Sequence, residues 1–533
     1  MVQMPSAEEF AALQRALAEA TRRSESLVGE LRVVRTERDL LQEQLNKFKR
    51  QLFAAKSEVL GTNQKDLFFN EAEELGAAAS PAVEDIAGDK TIDVPGHQRV
   101  KRGRKPLDPA LPREVVRHEL PESERVCPHD GAALQEIGVE ASEQLDIIPQ
   151  QVRVIRHERV KYVCPCCDGV VRLAAKPQQV IPKGLFTEGL LAWVITSKYL
   201  DGLPLYRQAA LLGRFGGTDL SRNTMAASVV RVGQAVQPII NLLRDRLLEA
   251  PLIYGDETAI QVLKEPGRKA QTKSYMWAQM TDRSGAEGTG PPIRLFAYAP
   301  SRGTEAALRL YAGAREGGVL MTDGYEPYNQ IAKTNQLVHL ACWAHCRRYF
   351  NDAVQALPKD KRGPEQLAVQ FLELIARLYH VESVARQEGL AASALTLRRR
   401  EHSVPVLKKI EALVLAKLHA VAPTTLLGQA LHYAQAQWTK LQRYAQDGNY
   451  PIDNNACENS IRPFVIGRRN WLFADTVAGA NASANLYSLL QTCKVNRLDG
   501  YGYLRTLLIG LPKASTADDY ETLLPWSIGT AAN

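Results

Sequence analysis

The chain has 533 residues, of which 45% are hydrophobic and 23% are charged, and its formal net charge is +7. This composition excludes a disordered or collagen-like chain, and the longest apolar runs are well short of the ~20 residues that a membrane span requires. Eight cysteines are too few for a disulfide scaffold at this length. We therefore expect a multidomain cytoplasmic protein in which some cysteines bind metal.

The N-terminal region carries a heptad pattern. Apolar residues alternate at spacings of three and four from Phe10 to Leu52, with polar Ser24 and Arg38 at two of the core positions. This pattern predicts a coiled coil over residues 8–60, through which the chain would form a homo-oligomer. A single amphipathic helix packed on the chain's own body is the alternative interpretation.

Charge is unevenly distributed after the heptads. Residues 71–93 contain seven acidic residues and one basic residue, which predicts a solvated linker within residues 61–98. Residues 99–117 contain seven basic and two acidic residues. Basic side chains flanking a glycine can bind the DNA minor groove, although a solvated basic run has the same pattern. The predicted DNA contacts of this basic arm, residues 99–118, are Arg99, Lys101, Arg102, Arg104 and Lys105.

Two cysteine-containing turns indicate a zinc-ribbon-like module over residues 119–180. Cys127 lies 37 residues before Cys164, and Cys167 follows at the spacing of a zinc knuckle. Strand-like runs at 144–148 and 151–155 separate the two turns. Zinc needs four ligands, and a metal-free hairpin with buried thiols is the competing interpretation. The predicted ligands are Cys127, Asp130, Cys164 and Cys167, with His129 as the alternative to Asp130.

Residues 181–248 are predicted to form helices that bind DNA. Two helical runs between residues 190 and 212 are followed by a double glycine, and Ser221 is well suited to cap the next helix. This is the order of a helix-turn-helix, in which Arg222 and Asn223 would lie near base edges. The same pattern also describes most small helical packings.

The pattern changes after residue 250 from a helical to a strand period. Three strand-like runs, a short helix and two further strand-like runs between residues 252 and 340 predict a mixed α/β sheet. Asp256 and Asp323 each follow an apolar run, so the sheet would hold both carboxylates as metal ligands. Glu257 would face the opposite side of its strand. Glu326 is expected in a turn, and we therefore choose the two aspartates.

A third acidic residue, Glu458, lies far downstream. It could belong to a capping box opened by Asn455, and Pro463 predicts that its helix kinks or ends early. With the two aspartates it could instead bind two divalent ions for phosphoryl transfer. Trp471 could stack on an unpaired base. The nearby basic residues that suit phosphate, or alternatively form a solvated helix face, are Arg462, Arg468 and Arg469.

Four motifs together resemble the DDE transposases of the insertion sequence 66 family. Asp256 lies in Tyr-Gly-Asp-Glu-Thr, Asp323 in Thr-Asp-Gly-Tyr-Glu-Pro-Tyr, and Glu458 in Asn-Asn-Ala-Cys-Glu-Asn-Ser-Ile-Arg-Pro-Phe. Cys342 and His345 lie in Cys-Trp-Ala-His-Cys-Arg-Arg-Tyr-Phe. Further matching motifs extend the resemblance over nearly the whole chain. The chain departs from the pattern at Asp130, where many relatives have cysteine.

The resemblance implies an RNase H-like core in which Asp256, Asp323 and Glu458 are catalytic and bind Mg²⁺ or Mn²⁺. It implies that Cys342 and His345 support the core, since two ligands cannot close a zinc site. It also implies that DNA, as element ends and as target, is the partner, and that small accessory proteins of the same element are further partners.

The sequence thus predicts a multidomain α+β protein that cleaves DNA and transfers strands with Mg²⁺, in the cytoplasm and associated with the nucleoid. A non-enzymatic zinc-ribbon DNA-binding regulator and an RNase H-like metal-dependent nuclease or resolvase are the alternatives. The predicted order is coiled coil 8–60, acidic linker 61–98, basic arm 99–118, zinc-ribbon-like module 119–180, helical DNA-binding region 181–248, core 249–357, helical insertion 358–450, second core segment 451–512 and C-terminal tail 513–533.

Overall fold

The computed structural model describes residues 150–163, 171–216 and 220–530, together with some residues between 17 and 38 and residues 115 and 132. The chain divides into two compact units, and the second, comprising residues 81–154 and 215–217, lies almost entirely outside the described residues. The predicted acidic linker, the five basic-arm contacts and all predicted zinc ligands also lie outside them. The described residues between 17 and 38 are helical and exposed, and the coiled coil stays a prediction.

A short hairpin precedes the helical region. Strand β1 (Lys161–Val163) pairs antiparallel with β2 (Val171–Leu173), so that Val163 lies opposite Val171. The second predicted zinc-binding turn, residues 164–167, lies between these two strands in the sequence. Residues 151–155, which the sequence pattern predicted as strand-like, form no regular secondary structure.

Four helices follow the hairpin. Thr187 caps the first of them by accepting a hydrogen bond from the Leu190 N–H, and Ser221 caps the third by accepting one from the Asn223 N–H, as its sequence position predicted. Arg222 and Asn223 are exposed in the first turn of that third helix, and their DNA contact stays a prediction. The four helices are α1 (Glu188–Tyr199), α2 (Leu205–Arg214), α3 (Arg222–Ala235) and α4 (Gln237–Leu248).

A mixed sheet forms the centre of the next region, as the strand periodicity predicted. The strands are β3 (Leu252–Lys264), β4 (Lys273–Thr281), β5 (Ile293–Ala299), β6 (Val319–Thr322) and β7 (Val338–Ala341). Their order across the sheet is β5-β4-β3-β6-β7, in which β4 pairs antiparallel with both β3 and β5, and β6 and β7 run parallel to β3. The carboxyl ends of β3, β6 and β7 therefore point the same way.

Three helices alternate with these strands. They are α5 (Thr304–Leu310), α6 (Glu326–Thr334) and α7 (Trp343–Ala356). Helix α7 begins directly after β7, and its apolar face, which includes Trp343 and Phe350, is buried. This face packs against the helices that follow, so α7 joins the sheet to the helical insertion.

The helical insertion forms as its sequence periodicity predicted. It consists of α8 (Leu367–Gln387), α9 (Ala392–Arg398), α10 (Val404–Leu418) and α11 (Leu426–Gln442), and a π-helical segment, Arg399–Ser403, links α9 to α10. These helices share an apolar core with α7, in which Phe350 stacks on Phe371 at a centroid distance of 4.3 Å. This shared core connects the insertion to the carboxyl end of β7.

Helix α12 (Asn455–Trp471) carries Glu458 and differs from its sequence prediction in two respects. Its N-cap is Asn454 rather than Asn455, and no capping box forms there. It also continues through Pro463 for two further turns. Burial of Ile461, Phe464 and Gly467 on both sides of the proline stabilises the helix, and this packing outweighs the ~3 kcal/mol that an interior proline costs.

The chain after α12 closes one edge of the sheet. Strand β8 (Ala474–Thr476) pairs parallel with the far end of β3 and leads into α13 (Val477–Val495). Ser488 Oγ accepts a hydrogen bond from the Phe296 N–H at 2.7 Å, and Thr492 Oγ1 accepts one from the Arg294 N–H at 3.1 Å. Side chains of α13 thus form hydrogen bonds with backbone N–H groups of edge strand β5. Without these partners, the edge could pair with a strand of another chain.

The predicted C-terminal tail contains packed structure. Helix α14 (Gly500–Gly510) is followed by α15 (Ala517–Glu521) and α16 (Pro525–Thr530). Leu524 is fully buried, and Glu521 forms an ion pair with Arg246 of α4 at 2.5 Å. In the described part of the chain, no helix has both the length and the apolar character needed to cross a membrane.

Candidate active site

The strand register brings Asp256 and Asp323 to the same level of the sheet. β3 and β6 pair in parallel with Tyr254 opposite Met321. Asp256 comes two residues after Tyr254, and Asp323 comes two residues after Met321. Neighbouring strands are ~4.8 Å apart, so this register makes the two carboxylates neighbours. Asp323 directly follows its strand, as predicted. Asp256 instead lies within β3, because antiparallel pairing with β4 extends that strand to Lys264.

Two contacts place the first turn of α12 against β3 and β4 beside Asp256. Asn454 Nδ2 donates a hydrogen bond to the Gly255 carbonyl at 2.9 Å. Cys457 Sγ contacts the carbonyl of Ala278 at 3.9 Å, and Ala278 is the β4 partner of Asp256. Glu458, which follows Cys457, is therefore brought beside Asp256 from a position about two hundred residues further along the chain.

Electrostatic coupling among the acidic residues is strong. Burial raises the pKa of Asp256 well above its usual range, and the carboxylates of Glu257, Glu458 and Asp323 raise it further. Asp256 Oδ1 accepts the Glu257 N–H at 2.8 Å, and Asp323 Oδ1 accepts the Tyr325 N–H at 2.9 Å. Neither aspartate has an ion-pair partner among residues 150–163, 171–216 and 220–530. The site thus concentrates negative charge on oxygen atoms, the donors that hard divalent cations prefer.

Unlike Asp256, Glu257 has side-chain partners for both of its carboxylate oxygens. Its carboxylate forms an ion pair with Arg302 at 2.7 Å and accepts the Tyr328 hydroxyl at 2.8 Å, and only 3% of its side chain is exposed. Burial and Asp323 raise its pKa. Glu326 is exposed in the first turn of α6 and accepts a hydrogen bond from Asn329. Glu257 and Glu326 thus each have a partner within the protein, and the choice of the two aspartates stays a prediction.

The Cys-x-x-His pair lies beside Glu458. Cys342 is fully buried and its Sγ accepts the Asn454 N–H at 3.2 Å. His345 Nδ1 lies 3.3 Å from Glu458 Oε1, and Arg348 donates a hydrogen bond to Glu458 Oε2 at 3.2 Å. Potential ligand atoms of Cys342, His345 and Glu458 thus lie within 4.8 Å of one another. Burial raises the pKa of the Cys342 thiol, which disfavours the thiolate that metal binding needs.

Helix α12 carries the three predicted basic residues toward its C-terminal half. Arg462 and Arg468 are partly buried and Arg469 is exposed. Burial and the neighbouring Arg469 lower the pKa of Arg468. Lys198 Nζ lies 3.8 Å from the centroid of the Trp471 ring, and Tyr199 contacts the same indole edge-to-face. One face of Trp471 is therefore already covered by a cation.

The helical insertion contacts the loop that carries Asp323, which the sequence did not indicate. Tyr433 of α11 donates its hydroxyl to the Asp323 carbonyl at 2.6 Å, and Gln437 Nε2 donates to the Gly324 carbonyl at 3.2 Å. Gly324 has φ +89°, and a Cβ atom there would lie 2.8 Å from Gln437. The positive φ therefore favours glycine after Asp323, and a larger residue would also displace the end of the Gln437 side chain.

A buried histidine lies next to the strand end that carries Asp323. His339 Nε2 lies 2.8 Å from Thr322 Oγ1, and burial, assisted by Lys440 and Arg443, lowers the pKa of His339 to about 3. Its neutral form stabilises the fold fully above the unfolded pKa of ~6.5, and this stabilisation is lost as pH falls from there toward 3.

We expect His339→Gln to flatten the acid side of the stability profile. The unfolding free energy of the unmodified chain should fall between pH 6.5 and 4.5 with a contribution from His339 of up to ~1.4 kcal/mol per pH unit. Urea unfolding at several pH values measures this slope, and His432→Gln, at an exposed position of α11, is the matched control. Equal slopes for both variants would contradict the assignment.

Comparison with known proteins gives consistent results along the chain. A family model described as "Transposase IS66 family" matches residues 183–482, and "IS66 C-terminal element" matches residues 488–526. The segment with the predicted zinc ligands, residues 124–168, matches "zinc-finger binding domain of transposase IS66". Residues 40–116 match "Transposase C of IS166 homeodomain".

Similar proteins occur in Sinorhizobium fredii. The uncharacterized protein y4qI is 34% identical over 475 residues, which cover 87% of this chain and 83% of the relative. The uncharacterized protein y4jD is 33% identical over 486 residues, which cover 90% of this chain and 92% of the relative. With the family models matching most of its length, the chain belongs to the IS66 family of transposases.

Proposed function

We propose that this transposase is a DDE enzyme that cleaves DNA at the element ends and transfers the strands to target DNA, with Asp256, Asp323 and Glu458 as its catalytic residues. The observation that carries the proposal is the convergence of these three acids, whose mutual interaction contributes to the raised pKa of Asp256. The strand order, with three antiparallel strands followed by two parallel ones, supports an RNase H-like core.

The residues present suit two hard divalent ions, Mg²⁺ or Mn²⁺. Asp256 and Asp323 offer carboxylate oxygens without competing cations in the described structure, and Glu458 approaches them from α12. When bound, such ions activate the attacking oxygen and stabilise the leaving oxygen of a phosphoryl transfer. Asp256 and Asp323 would be held in position by the sheet, and Arg348 would orient Glu458 by its hydrogen bond to Oε2. Arg468 and Arg469 would bind DNA phosphates.

The modules before the core would bring DNA and a second subunit to the site. The basic arm would contact phosphates through Arg99, Lys101, Arg102, Arg104 and Lys105, and Arg222 and Asn223 would contact the element end. Zn²⁺ would be bound by Cys127, Cys164 and Cys167 with Asp130 or His129 as fourth ligand. The coiled coil would form the homo-oligomer, and small accessory proteins of the element would be further partners in the cytoplasm.

Incubation of the chain with end DNA, a target plasmid and Mg²⁺ tests this function. We expect cleaved ends and joined products, and no products in EDTA. Specific binding without cleavage would favour the DNA-binding regulator, and cleavage without joining would favour the nuclease or resolvase.

Tyr433→Phe should lower strand transfer up to about tenfold. The substitution removes one hydrogen bond to the Asp323 carbonyl, which contributes ~0.5–1.5 kcal/mol and thus loosens one catalytic carboxylate. Tyr349→Phe is the matched control, because Tyr349 stacks on Tyr433 at 4.6 Å and its ring is retained. Initial rates of product formation measure both variants, and equal rates would argue against a role of the insertion in positioning Asp323.

A further inference from the structure

One buried side chain links the elements that carry the first and third acids. Asn454 is fully buried at the N-cap of α12. Its Nδ2 donates to the carbonyl of Gly255, the residue before Asp256, at 2.9 Å. Its backbone N–H donates to Cys342 Sγ at 3.2 Å, and its carbonyl accepts the Glu458 N–H at 3.1 Å. A single residue therefore contacts β3, the start of α7 and the first turn of α12.

These contacts restrict where Glu458 can lie relative to Asp256. Glu458 is one helical turn after Asn454 on the same helix, so a shift or rotation of α12 along β3 would move its carboxylate away from Asp256. The hydrogen bond from Asn454 to Gly255 opposes both movements. Gly255 is itself fixed because Tyr311 and Tyr328 pack where a Cβ atom would be.

The like charges in the site make such a link necessary. Asp256, Asp323 and Glu458 repel one another when no cation is bound, which disfavours the close approach that a shared ion requires. Arg348 and His345 approach Glu458 from α7. The Asn454 amide joins α12 directly to the β3 backbone beside Asp256, and Cys457 Sγ contacts the paired residue Ala278 of β4.

We propose that Asn454 is a positioning residue that holds Glu458 in register with Asp256, so that both carboxylates can bind the same divalent ion. This inference rests on the proposed function of the two acids as metal ligands. Asn454 acts through Glu458 and does not itself touch the reacting atoms. Removal of a residue that orients a metal ligand typically lowers metal affinity 10–100-fold.

The test measures the affinity of the full-length, DNA-free protein for Mg²⁺ by calorimetry, and for Ca²⁺ as a second probe. Asn454→Ala should weaken binding about tenfold or more, and strand transfer should fall in parallel. Asn455→Ala is the matched control. The Asn455 side-chain amide donates to Asp453 Oδ2 at 2.8 Å and, among the residues that the structure describes, makes no hydrogen bond to the strand that carries Asp256. We expect this control to bind within about twofold of the unmodified chain.

A double-mutant cycle separates positioning from general damage to the fold. In a Glu458→Gln background, Asn454→Ala should cause no further loss of Mg²⁺ affinity, because Asn454 acts through Glu458. A further loss of the same size, or unchanged affinity in Asn454→Ala alone, would overturn the inference. Unchanged affinity in both Asp256→Asn and Glu458→Gln would instead reject the proposed function.

Asn454→Ala is expected to fold, because it removes both a hydrogen bond and a buried oxygen, Oδ1, that has no partner in the described structure. These two effects on stability partly cancel. Circular dichroism melting checks this expectation. If the variant does not fold, Asn454→Ser replaces it, because serine is a favourable residue at the N-cap position but is too short to reach the Gly255 carbonyl.

Discussion

Asp256→Asn should lower strand transfer by about three orders of magnitude or more while DNA binding stays within about twofold. The substitution is nearly isosteric and preserves the oxygen that accepts the Glu257 N–H, so the fold should be retained. Under the proposed function it removes a charged metal ligand, and with it stabilisation of the phosphoryl-transfer transition state. It also removes a carboxyl group whose ionisation is opposed by burial and by the nearby Glu257, Glu458 and Asp323, so thermal stability without metal should not decrease.

Joined products from end DNA in Mg²⁺ measure the activity, and a gel-shift assay with the same DNA measures binding. Asp323→Asn and Glu458→Gln should show losses of similar size, because the three acids act as one site. Glu326→Gln is the matched control, since this acid lies three residues after Asp323 but is exposed at the start of α6. Activity of Asp256→Asn comparable to that of Glu326→Gln would reject the catalytic assignment.

Arg399→Ala should destabilise the helical insertion by about 3–5 kcal/mol. Arg399 is 2% exposed and forms a bidentate ion pair with Glu382 at 2.7 and 2.8 Å. Its Nη1 also donates to the carbonyls of Tyr444, Asp447 and Tyr450. Alanine would leave the Glu382 charge and these carbonyls without their donor, and a buried charge that loses its partner is strongly unfavourable.

Hydrogen exchange of α8 and α10 measures this effect locally, which avoids assuming a two-state transition for a multidomain chain. Arg400→Ala is the matched control, because Arg400 is the next residue and is exposed. Arg399→Lys should recover only part of the loss, since an ammonium group cannot reproduce the planar fork of five donors. Unchanged protection of α8 in Arg399→Ala would contradict the prediction.

A less stable helical insertion should also change the positions of residues in the candidate active site. Tyr433 and Gln437 of α11 bind the Asp323–Gly324 loop, and α7, which carries His345 and Arg348, shares its apolar core with the insertion. Two of the three acids therefore depend on contacts with helices of this region. We expect Arg399→Ala to lower strand transfer as well, and restoration of activity at lower temperature would indicate that stability is the cause.

Local patterns were sufficient for most elements of the core. Strand periodicity after residue 250 predicted the mixed sheet, helical periodicity after residue 358 predicted the insertion, and Ser221 predicted the start of a helix. These signals depend on residues a few positions apart, whose side chains share a face of the same element. Neighbouring strand residues likewise separate Asp256 from Glu257, and the structure gives Glu257 its own partners, Arg302 and Tyr328.

The sequence by itself determined the type and order of the core elements and the family to which the chain is similar, and it predicted Asp256 and Asp323 as site residues. Only the tertiary structure decided that Asp256 lies within an extended β3, that α12 continues through Pro463, and that α13 covers the edge of β5. It also brought Asn454 to Gly255 and Tyr433 to Asp323. The contacts of α13 with β5, of Asn454 with Gly255 and of Tyr433 with Asp323 join residues 110 to 199 positions apart. Periodicity within an element carries no information about which other element will pack against it.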